Sequence, residues 1–198
     1  PRYTPLRERH ETLGASFTDF GGWQMPVRYT SDLAEHHAVR QAAGIFDISH
    51  MAEFMITGDF AAEFLDYSLA GRLSAMSVGK AKYSLMLADD GGIIDDVIVY
   101  RLADDRFLVI ANAGNRGFVD AAFASRVRSF PSRIERERPA LAAGEERTFE
   151  GFLGDRGVDV EDVSDEYALL AVQGPASEAI LSTTSGITDL GTPWSEQK

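Results

Sequence analysis

Alternating hydrophobic and polar positions are clearest between residues 82 and 111, where they predict three strands at 82–88, 93–102 and 106–111. The links between these runs are short and rich in Asp and Gly. Links of that length can join only antiparallel neighbours. The pattern therefore predicts a three-stranded antiparallel meander.

Helical spacing of apolar residues appears on both sides of the meander. Asp32 and Glu35 have the spacing of a capping box, and Gly44 is placed to end that helix. A second helix is expected to begin at Asp59 as N-cap and to end near Ala70. Further elements complete an α+β prediction of antiparallel sheets flanked by helices: strands at 51–57 and 167–172, and helices at 116–128 and 176–181.

The stretch 129–166 differs from the rest of the chain because acidic and basic residues are mixed along it. Such composition is typical of a solvated surface segment. We therefore interpret 129–166 as a charged excursion within one region that spans residues 1–198.

Composition and net charge indicate which classes of partner are unsuitable for this chain. The chain has 198 residues, of which 44% are hydrophobic and 25% charged, as expected for a globular protein. Its net charge of −12 repels phosphate backbones and anionic lipid surfaces, so we expect neither nucleic acid nor membrane as a partner. The polar segment 1–10 lacks the apolar core of a signal peptide, and the sequence contains no cysteine, so a cytoplasmic protein is expected.

Simple catalytic and metal motifs are weak in this sequence. The acidic residues between 89 and 96 do not have the spacing of a calcium loop. His36 and His37 are adjacent, so on a helix they point about 100° apart and cannot share an ion. The run 47–50 contains Asp, Ser and His, but no nucleophile elbow accompanies it. The sequence predicts no metal site.

Asp95 and Asp96 lie within the predicted strand 93–102, where successive side chains point to opposite faces. Both faces are mostly apolar, so at least one carboxylate is expected on a buried or cleft-lining surface, where a ligand could use it. The alternative is a solvent-accessible edge position or a cap on a backbone amide. The role of Asn112 is similarly undecided, because an asparagine at the end of a strand can form a turn or contact a ligand. Local pattern alone does not decide between these readings.

Five ordered motifs cover nearly the whole chain and carry a resemblance to a known family. They are Asp19-Phe20-Gly21-Gly22-Trp23, Glu35-His36-His37-Ala38-Val39-Arg40, Gly44-Ile45-Phe46-Asp47-Ile48-Ser49-His50-Met51, Gly91-Gly92-Ile93-Ile94-Asp95-Asp96-Val97-Ile98-Val99-Tyr100 and Val172-Gln173-Gly174-Pro175. In this order they resemble the aminomethyltransferases, or T-proteins, of the glycine cleavage system.

The resemblance implies a folate-binding aminomethyltransferase-like fold and an enzyme without a metal. Such an enzyme transfers the aminomethyl group from the lipoyl arm of the H-protein to tetrahydrofolate, its co-substrate, releasing ammonia and forming 5,10-methylenetetrahydrofolate. By motif, Asp96 matches the essential carboxylate beside the pterin ring. The positions that match the lining of the folate pocket are Met51, Tyr83, Tyr100 and Asn112.

Family members continue after Gln-Gly-Pro with further segments and a C-terminal barrel, and neither occurs here. The resemblance thus predicts a region that is incomplete at its C-terminus, lacking a Glu and an Arg of the folate site. Two alternatives share the fold. One is another folate-dependent enzyme, such as a demethylase of a methylated sulfur compound or a sarcosine-type dehydrogenase domain; the other is a non-catalytic folate-binding protein of iron–sulfur maintenance. The Asp95-Asp96 pair favours the catalytic classes.

Overall fold

A computed structural model describes residues 1–137 and 157–184, with residues 131–137 described through their backbone alone. The chain divides into two compact units, one formed by residues 1–50 together with the chain from Glu166 onward and the other by residues 51–165. The helices are α1 Arg7–Thr12, α2 Asp32–Gln41, α3 Ala61–Ser68, α4 Arg116–Glu137 and α5 Ser177–Thr183. The strands are β1 Ser16–Phe20, β2 Trp23–Arg28, β3 Gly44–Asp47, β4 Ala52–Thr57, β5 Ala81–Leu87, β6 Ile93–Ala103, β7 Arg106–Ala111, β8 Asp159–Asp162 and β9 Leu170–Gln173.

The unit of residues 51–165 is built on a five-stranded antiparallel sheet with strand order β5-β6-β7-β4-β8. The predicted meander is present as β5, β6 and β7. Helices α3 and α4 pack on one face, where Phe123 lies 5.6 Å from Phe54 and 6.0 Å from Phe64 between ring centroids. This is the main apolar core, and all three rings are fully buried.

Side-chain alternation along β6 divides the sheet into a core face and an open face. Val97 and Val99 are buried against the helices, whereas Asp96 and Tyr100 are exposed on the opposite side. Cross-strand partners in an antiparallel sheet point to the same side. The register of the sheet therefore fixes which residues share the open face.

The other unit combines the β1–β2 hairpin, an antiparallel β3–β9 pair and helices α1, α2 and α5. Helix α2 has Ser31 as its N-cap, and the Ser31 hydroxyl accepts a hydrogen bond from the Ala34 amide. Glu35 instead accepts from the backbone amides of Tyr29 and Thr30 at 2.9 and 2.7 Å. The expected capping box of Asp32 and Glu35 is thus wrong, because Glu35 closes the preceding turn.

A buried polar chain ties three segments of this unit together. The carboxylate of Asp47 accepts from the hydroxyl of Thr4 and lies 2.8 Å from Nε2 of His10. The other ring nitrogen of His10 lies 2.7 Å from the Tyr29 hydroxyl. Burial disfavours the charged carboxylate, but the hydrogen bonds from Ser49, Thr4 and His10 outweigh it and hold the pKa of Asp47 below its usual value.

The α+β fold with antiparallel sheets flanked by helices is confirmed, and the described residues form no closed barrel. Elements absent from the prediction are α1, β1, β2, β3 and β8. Within the charged stretch 129–166, α4 continues to Glu137 and β8 adds an edge strand, while 138–156 lie outside the described residues. No helix in the described part of the chain is long and apolar enough to span a membrane.

Candidate functional site

The open face of the sheet brings together all five side chains singled out from the sequence. Leu85 pairs with Asp96, and Ala52 pairs with Ala111, so extending that second register by one residue places Met51 beside Asn112. The Asn112 side-chain nitrogen lies 3.0 Å from Oδ1 of Asp96. One row therefore runs across four strands. Its members are Leu85, Asp96, Asn112 and Met51.

Two further rows lie beside the first on the same face. The middle row contains Tyr83, Ile98, Ile110 and Glu53. The outer row contains Ala81, Tyr100, Leu108, Met55 and Glu161. Met51, Tyr83, Asp96, Tyr100 and Asn112 thus share one side of one sheet, although they come from four separate strands or strand ends.

The exposed part of this face is aromatic and apolar. Tyr83 is 71% exposed and Tyr100 39% exposed, with the half-buried Ile98 between them in the β5–β6 register. Partial burial, and secondarily the neighbouring Tyr83, raises the pKa of the Tyr100 phenol, which is uncharged at neutral pH. Flat aromatic side chains beside an aliphatic surface form a suitable contact for a planar ring.

Asp95 points to the other side and has a structural task. It is 2% exposed, and its carboxylate accepts from the Asn112 backbone amide at 2.8 Å. It also accepts from the side-chain amides of Asn112 at 2.9 Å and Asn115 at 2.6 Å. Asp95 is the cap on a backbone amide that the sequence left open, and it fixes the turn after β7.

Asp96 and Asn112 together present hydrogen-bond acceptors on the open face. The Asn112 amide nitrogen faces carboxylate oxygens of both Asp95 and Asp96. Ionised carboxylates only accept hydrogen bonds, so this contact fixes the orientation of the amide group. Oδ1 of Asn112 then points elsewhere, and no described residue donates to it or to Oδ2 of Asp96. Both oxygens are available to N–H groups of a ligand.

Glu53 is a feature of this face that the sequence reading missed. It is 1% exposed, and neither carboxylate oxygen has a hydrogen-bond partner among the described residues. Burial raises the pKa of Glu53 to about 7, although the positive charge of Arg116 acts to lower it. The only sequence signal for it is a glutamate within the apolar alternation of β4, two residues after Met51. By pattern alone, a glutamate there indicates a solvent-facing position.

Comparison with known proteins gives a consistent set of relatives. A family model described as the GCVT N-terminal domain matches residues 6–194. An aminomethyltransferase of Saccharopolyspora erythraea is 47% identical over 97% of this chain and 45% of its own length. One of Cutibacterium acnes is 49% identical over 91% of this chain and 42% of its own length.

A solved structure, the glycine cleavage system aminomethyltransferase T from Bartonella henselae, superposes with a TM-score of 0.72 at 36% identity. The match covers 91% of this chain and 43% of that one. The chain therefore spans less than half the length of the relatives that it matches.

Proposed function

Since the chain belongs to the family of the GCVT N-terminal domain, we propose that its protein transfers an aminomethyl group to tetrahydrofolate. The donor is the lipoyl arm of the glycine cleavage H-protein, and the products are ammonia and 5,10-methylenetetrahydrofolate. The reaction takes place in the cytoplasm and uses no metal.

The observation that carries this proposal is the Asp96–Asn112 pair on a face lined by Tyr83 and Tyr100. Two free acceptor oxygens beside exposed aromatic rings match a planar heterocycle that bears N–H groups on its edge. The pterin ring of tetrahydrofolate is such a ligand. Met51, half-buried at the end of the same row, supplies a polarisable thioether contact.

In this arrangement Asp96 is the catalytic residue. Attack of folate N5 on the methylene carbon requires an unprotonated, oriented amine, and an N5–H···carboxylate hydrogen bond supplies that orientation. As the bond to carbon forms, Asp96 accepts the N5 proton. Asn112 keeps the carboxylate in place through its amide hydrogen bond at 3.0 Å.

Because the chain spans 45% and 42% of two relatives, the proposal concerns the full-length protein. The open face is one wall of the site, and we expect the remaining segments to add the Glu and Arg implied by the resemblance. A pocket that lacks a wall cannot bury most of a ligand. Residues 1–198 alone are expected to bind tetrahydrofolate weakly or not at all.

The test is ammonia release from aminomethyl-loaded H-protein with and without tetrahydrofolate. We expect the full-length protein to release ammonia much faster when folate is present, since positioning alone can lower a barrier by ~7–11 kcal/mol. Asp96→Asn should lose most of that acceleration. Asp120→Asn, which changes an exposed aspartate on α4, is the matched control and should behave as the parent.

Two results would overturn the proposal. If ammonia release is indifferent to folate while folate still binds, the protein is a non-catalytic folate-binding member of the fold. If folate accelerates loss of a methyl group from another donor and not ammonia release, the protein is a folate-dependent demethylase.

A further inference from the structure

Glu53 lies on the open face within one position of the Asp96–Asn112 pair. Its cross-strand partner is Ile110, and Asn112 is the diagonal neighbour two residues farther along that chain. Diagonal neighbours on one face of an antiparallel pair are about 7–8 Å apart. Glu53 therefore lies one row away from the proposed folate contacts on the same face of the sheet, yet it is only 1% exposed.

The surroundings of Glu53 do not stabilise its charged form. The charges that act on its pKa among the described residues are Arg116 of α4, Asp162 of β8 and Asp165, and Asp162 lies on the helix side of the sheet as the partner of Phe54. Arg116 is already engaged, with nitrogens 2.7 Å from Asp162 and 3.0 Å from Asp165. This guanidinium is thus engaged by two other carboxylates, and neither oxygen of Glu53 has a hydrogen-bond partner in the part of the chain that the structure describes. A proton on Glu53 removes the uncompensated buried charge.

A structural role does not account for this group. A purely structural carboxylate in a core is expected to be paired, because an apolar side chain of similar volume stabilises a core as well or better. Within the described ranges Glu53 has no hydrogen-bond partner, and it is 1% exposed. An unpartnered ionisable side chain behind a ligand face is the arrangement expected of a group that exchanges protons during a reaction.

Asp96 and Glu53 provide two carboxyl groups in contrasting environments on one face. Asp96 is exposed and accepts a hydrogen bond, whereas Glu53 is buried and its pKa is raised to about 7. Such contrast separates the residue that accepts a proton from the residue that donates one.

We propose that Glu53 is the proton donor of this site, acting through one bound water on the departing amine. The inference rests on the function proposed above. Glu53 is buried and acts through this water without touching the reacting atoms. We therefore class it as a positioning residue, which holds the proton and orients the water. Asp96 remains the residue that contacts the folate.

The protons balance in this scheme. When the N5–carbon bond forms and the carbon–amine bond breaks, the amine takes the Glu53 proton and leaves as ammonia. When the N10–carbon bond forms and the carbon–sulfur bond breaks, the Glu53 carboxylate recovers a proton from N10. The N5 proton passes through Asp96 to the lipoyl sulfur, so both carboxyl groups return to their starting states.

The experiment compares Glu53→Gln, Glu53→Asp and the control Glu63→Gln in the full-length protein. Glu63 is exposed on α3, which packs on the core face of the sheet, so the control changes a glutamate of the same unit away from the open face. The readouts are kcat and KM for tetrahydrofolate between pH 6 and 9, with the melting temperature of each variant. We expect kcat of Glu53→Gln to fall at least 100-fold with KM unchanged.

The pH profile separates a proton donor from a structural residue. In the parent, kcat should fall about tenfold per pH unit above the pKa near 7, because the donor form is lost. Glu53→Gln should lack this alkaline limb, and Glu53→Asp should retain it with part of the rate. Glu63→Gln should reproduce the parent profile.

Three results would overturn the inference while leaving the proposed function standing. They are a Glu53→Gln variant with the rate and alkaline limb of the parent, a Glu53→Gln variant whose rate loss follows a lowered melting temperature with the limb intact, and a control that loses the limb as well. If the parent itself shows no folate-dependent ammonia release, the proposed function fails first and the inference fails with it.

Discussion

Asn112 donates its side-chain amide to Oδ1 of Asp96 at 3.0 Å, and this contact joins the open face of β6 to the end of β7. The same amide nitrogen lies 2.9 Å from the buried carboxylate of Asp95. One asparagine therefore bridges two adjacent aspartates that point to opposite sides of the strand. The buried aspartate anchors the turn, and the exposed one is held for a ligand.

Asp95 and Asp96 should differ sharply when each is changed to asparagine. Asp95→Asn places an amide where three N–H groups require an acceptor, so we expect a loss of about 1–3 kcal/mol in the free energy of unfolding. The Asp96 side chain is exposed, so Asp96→Asn should leave the free energy of unfolding nearly unchanged while turnover falls strongly. Urea unfolding and folate-dependent ammonia release measure the two effects. Equal turnover losses at equal stability would contradict the assignment.

Tyr83 should contribute to folate binding without contributing to stability. Its side chain is 71% exposed, so Tyr83→Ala is expected to change the free energy of unfolding by less than about 0.5 kcal/mol. Loss of the aromatic contact should weaken tetrahydrofolate binding measured by calorimetry. Phe118→Ala on α4 removes a ring of similar exposure, 69%, away from the open face and is the control. Similar affinities for the two variants would contradict a folate contact at Tyr83.

The part of the fold that sequence predicted best is the part made of local contacts. The strands β5, β6 and β7 are joined by short links and alternate regularly, so period and turn signals agree. The alternation also separated Asp95 from Asp96 correctly. The strand pattern could not predict which of the two aspartates is buried, because both faces of the strand are mostly apolar. The helices that cover one face come from elsewhere in the chain.

The parts that were missed depend on distant partners. Strand β3 has a short, half-exposed pattern and is defined by its pairing with β9, more than a hundred residues later. Glu53 is buried without a hydrogen-bond partner among residues 1–137 and 157–184. The charges that act on its pKa belong to Arg116, Asp162 and Asp165, which no local pattern connects to it. Hydrophobic periodicity reports the faces of an element, but it does not report what covers each face.

Gly174, in the Gln-Gly-Pro motif, should be intolerant of any side chain. Its φ is +127°, and a Cβ there would lie 2.5 Å from the Ala42 carbonyl oxygen and 2.6 Å from that of Val39. Backbone strain of this kind costs about 1–3 kcal/mol before the clash is counted. Gly174→Ala should therefore lower the melting temperature clearly, whereas Gly114→Ala, with no atom within 4 Å of its Cβ, should not. Equal melting temperatures for the two variants would contradict the close approach at Gly174.

The unpartnered carboxyl group of Glu53 should make stability depend on pH in a direction unusual for a glutamate. Its folded-state pKa of about 7 lies above the unfolded value, so the folded state retains the proton longer, and its contribution to stability is complete at low pH and is lost as pH rises through 7. By linkage the loss is about 3 kcal/mol between pH 4.5 and pH 8. Glu53→Gln cannot ionise, so its stability relative to the parent should increase by a similar amount across that range. Urea unfolding of both proteins at pH 5 and pH 8 measures the change. Glu63→Gln is the exposed control, and its difference from the parent should stay constant. A Glu53→Gln difference that is the same at both pH values would mean that Glu53 is ionised and paired in the folded protein.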